Sequence, residues 1–241
     1  MLSLNDITIG YPGRVVARHL SAHLAKGTMT CLVGSNGAGK STLLKTVTTI
    51  LPPVSGTITV SNPESVDVRS LSPRERARSI GVVLTERVAP GNMCVREMVA
   101  MGRSPYTGFW GRLSAADEKI VDEAMSMTGI TAFAATPVSS LSDGERQKVM
   151  IAKALAQQTP LIVLDEPTAF LDYPSKIAMM EMLRTLCHDR GKTVLLSTHD
   201  LDAALRITDN VWFMDGGTLT EGTVSDMKEK IAIFMKMSNM R

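Results

Sequence analysis

One glycine-rich segment of the sequence has the residue types and spacing that enclose a phosphate chain. Residues 34–41 read Gly-Ser-Asn-Gly-Ala-Gly-Lys-Ser and match G-x-x-x-x-G-K-[ST] at every fixed position. Glycines let backbone N–H groups close around phosphate oxygens, and a helix that follows them presents its positive end. We therefore predict a nucleotide-binding loop formed by Gly34, Ser35, Asn36, Gly37, Ala38, Gly39, Lys40, Ser41 and Thr42.

Two residues of this phosphate loop have separate predicted roles. Lys40 would reach the β- and γ-phosphates of a nucleotide, and the Ser41 hydroxyl would bind Mg²⁺. The apolar run Met29–Val33 precedes the loop and a helical pattern over Ser41–Leu51 follows it. Because this strand–loop–helix context is the one in which the motif binds nucleotides, it argues against an accidental glycine-rich turn.

A second chemical signal is a pair of acids at the end of an apolar run. Leu161–Leu164 is followed directly by Asp165 and Glu166. Asp165 would bind Mg²⁺ directly or through water. Glu166 would face the attacking water and is a candidate general base. Alone, such a pair would more often be solvated and inert, but together with the phosphate loop it predicts nucleotide hydrolysis.

A third motif carries a family resemblance. The segment Leu141–Gln147 reads Leu-Ser-Asp-Gly-Glu-Arg-Gln, opens a helical pattern and resembles the LSGGQ-type signature loop of ATP-binding cassette (ABC) proteins. The family's motifs occur here in the family's order, as Tyr11, the phosphate loop, the signature, Asp165–Thr168, Leu171–Asp172 and Ser197–Asp200. The resemblance covers about residues 1–225, whereas kinases and GTPases share only the phosphate loop with this set.

The resemblance implies a head-to-tail dimer that holds two ATP molecules, with Mg²⁺, between two copies of the chain. The residues implied to serve the ATP of the partner copy are Ser142, Asp143, Gly144, Glu145 and Asp172. Ser142 and Gly144 would bind the γ-phosphate, which is the usual chemistry of a helix N-terminus used across an interface. Asp172 would link the two sites.

The resemblance also assigns roles to two isolated residues. His199 resembles the family's switch histidine, which contacts the γ-phosphate and orients the attack, so His199 joins Glu166 as a predicted catalytic residue. Tyr11 matches the aromatic residue that stacks on adenine. Without the resemblance, a capping or core role would explain His199, and simple packing would explain Tyr11.

Three acidic residues depart from the family pattern. Glu86 stands where a glutamine that contacts the nucleotide site is usual, and it is a predicted Mg²⁺ ligand together with Ser41 and Asp165. In the signature, Asp143 replaces a glycine and Glu145 replaces a glutamine. Asp143 and Glu145 lie at a predicted helix start, where the helix dipole stabilises negative charge, but they weaken the positive field offered to phosphate. We expect ATP binding with slower basal turnover.

The elements that must position these residues alternate between strands and helices. The predicted strands are Leu2–Leu4, Ile7–Ile9, Val15–Val16, Met29–Val33, Thr57–Val60, Ile80–Leu84, Leu161–Leu164, Thr193–Ser197 and Val211–Met214. The predicted helices are Ser41–Leu51, one starting at Ser72–Glu75, Val95–Arg103, Ala115–Thr128, Gly144–Gln158, Ser175–Arg190, Asp200–Ile207 and Ser225–Met237. Alternation of this kind predicts an α/β fold with a mainly parallel sheet.

The resemblance refines this fold class to a P-loop NTPase of the ABC type, with an N-terminal antiparallel β-subdomain and an inserted α-helical subdomain. We expect one domain over residues 1–241. Its predicted parts are a core at 1–86 and 158–225, a helical insertion at 87–157 and a terminal helix at 225–237.

Composition excludes several other classes of protein. The chain has 241 residues with a net charge of +2, so no basic or acidic excess indicates nucleic-acid binding. Hydrophobic residues make up 44% and charged residues 21%, which excludes wholesale disorder. No apolar run is long enough to span a membrane, and no secretory signal is visible. The 3 cysteines are far apart and fit reduced thiols in the cytoplasm.

The segment Glu86–Trp110 is the predicted docking site for membrane permease subunits. Protein interfaces favour aromatic, methionine and arginine residues. The aromatic and methionine residues of this segment are Met93, Met98, Met101, Tyr106, Phe109 and Trp110. The alternative is that these residues form the small core of the helical insertion itself. The docking hypothesis implies a peripheral location at the cytoplasmic face of the inner membrane and an indirect partner, an external solute-binding protein.

The runs Met101–Tyr106, Gly111–Ser114 and Thr168–Asp172 resemble the importer branch that handles iron–siderophore complexes, haem and cobalamin. The alternative is a soluble cassette ATPase without transport, such as a cofactor-assembly or translation-associated factor, but those functions usually show paired cassettes or long inserts. A non-hydrolysing binding module is disfavoured because Glu166 and His199 occur together.

Overall fold

The structure is a computed structural model of the chain, and it describes residues 1–61, 64–84 and 91–238. Its strands are β1 (Leu2–Tyr11), β2 (Arg14–Leu24), β3 (Met29–Gly34), β4 (Ser55–Ser61), β5 (Ser65–Asp67), β6 (Ile80–Val83), β7 (Leu161–Leu164), β8 (Thr193–Ser197), β9 (Asn210–Asp215) and β10 (Thr218–Thr223). Its α-helices are α1 (Lys40–Val47), α2 (Pro73–Ser79), α3 (Val95–Ala100), α4 (Ala115–Met127), α5 (Asp143–Ala156), α6 (Tyr173–Arg190), α7 (Leu201–Ile207) and α8 (Val224–Ser238).

Six strands form the central sheet in the order β10-β9-β3-β8-β7-β6. All neighbours from β9 to β6 pair in parallel, and β10 pairs antiparallel to β9 at the edge. The carboxyl ends of parallel strands lie along one edge of a sheet, where α/β proteins bind ligands. Strand β3 ends in the phosphate loop and β7 ends at Asp165, so both motifs lie at this edge.

The N-terminal strands form a second, antiparallel sheet in the order β2-β1-β4-β5. Its inner face packs with α1 and one face of the central sheet in a shared core that includes Leu4, Ile7 and Trp212. The predicted fold class, an ABC-type α/β fold with a mainly parallel core sheet and an antiparallel N-terminal sheet, is confirmed.

Helices α3, α4 and α5 pack on one another around a separate apolar cluster that includes Val99, Val121 and Val149. The buried side chain of Arg103 connects α4 and α5 within this group of helices. Arg103 Nε donates to Asp117 Oδ1 at 2.8 Å, and its guanidinium also donates to the carbonyl of Ala156 at 2.8 Å. Because the ion pair has this second bond, the buried charge of Arg103 is compensated.

The proposed docking residues divide between this cluster and the surface. The side chain of Met98 is buried in the cluster, and the Tyr106 ring lies 4.1 Å from the Arg103 guanidinium carbon. The burial of Met98 supports the alternative, an internal core role, for that residue, whereas Tyr106 is half-buried. Phe109 and Trp110 differ, since they are 96% and 83% exposed.

Several predicted elements differ from those observed, for identifiable reasons. The three short N-terminal runs form two long strands with irregular register near Asp6 and His19, which both have positive φ angles. Helix α1 ends at Val47 rather than Leu51, because Thr48 closes the last turn with its hydroxyl and Thr49 takes a φ of 61°. Strand β10 was not predicted, because an edge strand of mainly polar residues lacks the apolar run that indicates a buried strand.

Among the residues that the structure describes, no helix combines the length and the apolar character that crossing a bilayer requires.

Candidate nucleotide site

The phosphate loop connects β3 to α1 with glycines in conformations that other residues avoid. Gly34, Gly37 and Gly39 have φ angles of 152°, 78° and 104°. The Lys40 ammonium group bends over the loop, where it donates to the carbonyl oxygens of Gly34 at 2.9 Å and Ser35 at 3.0 Å. Burial lowers the pKa of Lys40, while the carboxylates of Glu166 and Asp165 act in the opposite direction. The loop therefore holds one cation where a phosphate chain would lie.

The loop is packed tightly against the strands behind it. A Cβ atom added to Gly34 would lie 1.8 Å from the carbonyl oxygen of Met214, which pairs with Gly34 across β3 and β9. A Cβ atom added to Gly39 would lie 2.6 Å from Cγ1 of Val16. Glycine is required at these two positions by close approach as well as by backbone angle.

Asp165 and Ser41, the two described residues predicted to bind Mg²⁺, lie next to each other. Asp165 is buried at the end of β7, and its Oδ1 accepts from Ser197 Oγ at 2.6 Å. Ser41 Oγ lies 3.4 Å from the same Oδ1. An all-oxygen pair of carboxylate and hydroxyl is a donor set that suits Mg²⁺, which prefers oxygen ligands and retains waters. The third predicted ligand, Glu86, lies outside the described residues.

Glu166 has the surroundings of a general base. Its backbone takes a positive φ of 51°, and its N–H donates to Ser197 Oγ at 3.0 Å. Its Oε2 accepts from the N–H of His199 at 3.3 Å. Its Oε1 lies 3.1 Å from His199 Nε2, but this buried oxygen makes no hydrogen bond within the described part of the chain. A strained backbone, and a buried carboxylate oxygen whose described contact is an ion pair with His199 and not a hydrogen bond, are features of functional sites.

The electrostatic surroundings of Glu166 favour its protonated form. Burial raises the pKa of Glu166, and Asp165 acts in the same direction; His199 and Lys40 partly oppose them. Since a base with a raised pKa accepts protons better near neutral pH, this shift suits proton abstraction from water.

We expect the acidic limb of the hydrolysis rate to lie at a higher pH than an ordinary glutamate would give. The base is active only when ionised, and its raised pKa keeps the protonated form populated to higher pH. The measurement is kcat against pH at saturating ATP, with nucleotide binding followed over the same range as the control. A limb at the usual pKa of glutamate would contradict the prediction.

The signature residues lie at the N-terminus of α5. Ser142 caps the helix by accepting from the N–H of Glu145 at 3.3 Å, and Asp143 pairs with Arg146 at 2.9 Å. A Cβ atom on Gly144 would lie 3.1 Å from the carbonyl oxygen of Phe170. The structure thus brings the signature beside the segment that contains Asp172.

Two further predicted residues, Tyr11 and Asp172, lie on the surface, whereas Thr42 of the phosphate loop is buried. Tyr11 ends β1 and is 45% exposed, so part of its side chain is accessible to a ligand. Asp172 is exposed and caps α6 by accepting from the N–H of Ser175 at 3.0 Å. Ser197 was not among the predicted site residues, although it bonds to both Asp165 and Glu166. Its position directly before Thr198 and His199 was the available signal.

A strand–loop–helix phosphate site beside a buried Asp–Glu pair defines a nucleoside-triphosphate hydrolase of the phosphate-loop class, and the capped signature helix defines a subgroup within it. A protein-family model for ABC transporters matches residues 17–169. The chain belongs to this family. It is an ATP-binding protein and an ATP hydrolase, as the sequence predicted.

Individual relatives support this assignment. The chain is 38% identical to the achromobactin transport ATP-binding protein CbrD of Dickeya dadantii over 87% of its own length and 77% of the relative's. It is 35% identical to the iron(3+)-hydroxamate import ATP-binding protein FhuC of Bacillus subtilis, over 94% and 83%. Its fold matches the dimeric cassette MJ0796 bound to ADP and Pi, with a TM-score of 0.82, 26% identity and coverage of 93% and 99%.

Proposed function

We propose that the chain is the ATP-hydrolysing subunit of a membrane importer for iron–siderophore complexes, haem or cobalamin. The observation that carries this proposal is the similarity to two ATP-binding proteins named for achromobactin transport and iron(3+)-hydroxamate import. Both names describe transport, which argues against the alternative of a soluble cassette without a membrane partner.

In this proposal the residues of the site have separate roles in ATP hydrolysis. Lys40 would bind the phosphate chain, and Ser41 and Asp165 would hold a Mg²⁺ ion, which would supply positive charge against the phosphates. Glu166 takes a proton from the attacking water, and its Oε1, which no described hydrogen bond uses, lies 3.1 Å from His199 Nε2. The backbone N–H of His199 donates to the other oxygen, Oε2, and the His199 imidazole would contact the γ-phosphate.

Two copies of the chain complete each site in this proposal. Cassettes of this family act as dimers, and the matched structure of MJ0796 is a dimer with ADP and Pi. Ser142, Gly144 and Asp172 of one copy serve the nucleotide of the other. Ser142 and Asp172 are exposed, and Gly144 lies against the carbonyl of Phe170, two residues before Asp172, which supports this role.

The membrane partner docks where the core meets the helical segment. A cleft of about 360 Å³ opens between the end of α1, α2, β6 and α5. Its charged lining residues are Arg76 and Lys153, and the exposed apolar side chain of Ile50 lies at its edge. Phe109 and Trp110, which are exposed, contact each other edge to face with ring centroids 5.4 Å apart. The chain then lies at the cytoplasmic face of the inner membrane.

Removal of both exposed aromatic side chains is expected to weaken the complex with the permease subunits. Phe109→Ser with Trp110→Ser deletes solvent-exposed anchors, so we expect about tenfold weaker association or more, since interface aromatics often contribute 2 kcal/mol or more. The measurement is retention of the purified complex in detergent and ATP-dependent uptake of a ferric siderophore by proteoliposomes.

The matched control is Ile233→Ser, which removes an exposed apolar side chain of α8 on another part of the surface. Unchanged retention of the Phe109/Trp110 variant would remove these residues from the docking site. A chain that copurifies with no polytopic membrane protein would overturn the importer proposal itself.

A further inference from the structure

Two arginine side chains attach helix α2 to the helical unit, which is residues 95–157 with α3, α4 and α5. Arg74 and Arg78 lie one helical turn apart, and the Nε of each donates to the carbonyl oxygen of Pro105, at 2.8 and 3.1 Å. The guanidinium carbons of Arg78 and Arg103 lie 4.9 and 4.1 Å from the centroid of the Tyr106 ring. Because Arg103 is buried inside the helical unit, this ring contact joins α2 to the interior of that unit.

A second contact holds the C-terminal end of α2. The side-chain amide of Gln157, directly after α5, donates to the carbonyl oxygens of Ala77 and Ile80, the latter at 3.2 Å. Carbonyl groups in the last turn of a helix lack intrahelical donors, so a side chain from elsewhere can satisfy them. Four hydrogen bonds therefore connect the short helix α2 to the helical unit.

The contacts of α2 with the core of the protein are fewer. All 7 residues of α2 are described, and none of them is buried. One described side-chain hydrogen bond joins α2 to the end of α1, from Arg76 to Thr49 Oγ1 at 3.2 Å. Since packing of an apolar face is what usually anchors a helix, α2 is anchored less to the core than to the helical unit.

Helix α5 connects the signature with the proposed docking cleft. It starts directly after its cap Ser142, spans 14 residues, or about 21 Å, and ends at Ala156, next to Gln157. The residues that line the cleft come from α2, from the ends of α1 and α5, and from β6. A movement of α2 relative to α1 would therefore change the shape of the cleft.

We propose that Arg74 and Arg78 are positioning residues that make α2 move with the helical unit, so that a displacement of α5 reshapes the docking cleft. The helical unit is joined covalently to the rest of the chain at its two ends, and the α2 contacts are a third attachment. A unit held at three points pivots about two of them only if the third contact breaks or α2 follows. Breaking it costs four hydrogen bonds, whereas moving α2 away from α1 costs one and exposes no buried side chain.

This inference rests on the proposed docking of the permease in the cleft, and distances between spin labels test it in the chain alone. Pro73→Cys, Lys119→Cys and Thr57→Cys place exposed labels on α2, α4 and β4, and Cys94→Ser removes the half-buried native thiol. In chains with Glu166→Gln, ATP should change the 73–57 and 119–57 distances by about 2 Å, the scale of helix shifts in switching proteins. The 73–119 distance should stay constant.

Arg74→Met combined with Arg78→Met removes both donors to Pro105 and keeps the apolar part of each side chain. In this variant ATP should change the 73–119 distance and leave the 73–57 distance constant. Hydrolysis by the lone chain should be unchanged, whereas its stimulation by the permease should fall about fivefold or more, the usual scale of coupling between sites. Arg18→Met combined with Arg184→Met, which removes two exposed arginines from β2 and α6, is the matched control.

Three results would overturn the inference. In the first, the native 119–57 distance changes with ATP while the 73–57 distance does not, so α2 stays with the core. In the second, the 119–57 distance does not change, so there is no displacement for α2 to follow. In the third, the double variant behaves as the native chain does, so the two arginines carry nothing. Each leaves the permease proposal standing, because copurification with a membrane protein tests that proposal separately.

Discussion

Replacement of Glu166 by glutamine is expected to lower the rate of ATP hydrolysis by roughly 10²–10⁴-fold, the usual contribution of a general base. The amide has nearly the same shape as the carboxylate, so packing around β7 and β8 is preserved. It has no basic oxygen to take a proton from water. Because Lys40, Ser41 and Asp165 are unchanged, the affinity for ATP should change little.

The same variant is expected to accumulate an ATP-bound dimer, because the step that would open the dimer no longer occurs. Single-turnover hydrolysis and light scattering with ATP measure the two effects. Glu181→Gln, on the exposed face of α6, is the control for an amide substitution remote from the site. A Glu166→Gln protein that hydrolyses ATP at the native rate and stays monomeric would remove Glu166 as the base.

Replacement of Gly34 by alanine is expected to destabilise the fold by about 3 kcal/mol or more, in the range of severe overpacking. The added Cβ atom would lie 1.8 Å from the Met214 carbonyl oxygen, which is backbone and cannot rotate away. Strands β3 and β9 would have to separate at their paired ends. The thermal midpoint should fall by roughly 6–12 °C for a chain of this size.

Gly37→Ala gives the matched control within the same loop. Gly37 also has a positive φ, 78°, but a Cβ atom there would meet nothing within 4 Å. Only the backbone strain of about 1–2 kcal/mol should appear. Calorimetry and urea unfolding measure both variants. Equal destabilisation would show that the backbone angle, and not the approach of Met214, makes glycine necessary at position 34.

Local motifs allowed much of the site to be predicted. The phosphate loop, the acids after β7 and the signature each need a few residues at fixed spacing, because each uses backbone geometry within one turn or strand end. Apolar runs also predicted the buried parallel strands, because a strand that is buried on both faces has a continuous apolar sequence. The polar strand β10 had no such pattern.

Contacts between distant residues could not be predicted in this way. The sequence places Met98 and Trp110 in one segment rich in interface residue types, but only packing decides that Met98 is buried and Trp110 exposed. Spacing alone does not show that Ser197 bonds to both Asp165 and Glu166, because Ser197 reaches these two neighbours only when β7 and β8 pair.

The sequence by itself therefore determined that this chain binds and hydrolyses ATP and which residue types carry each step. The tertiary structure decided how tightly those residues are constrained. The carbonyl oxygen of Met214, 180 positions later in the sequence, leaves no room for a side chain at Gly34. Glu166 has one carboxylate oxygen that makes no described hydrogen bond. The order of the strands brings such groups together, and this order depends on long-range packing that no local pattern encodes.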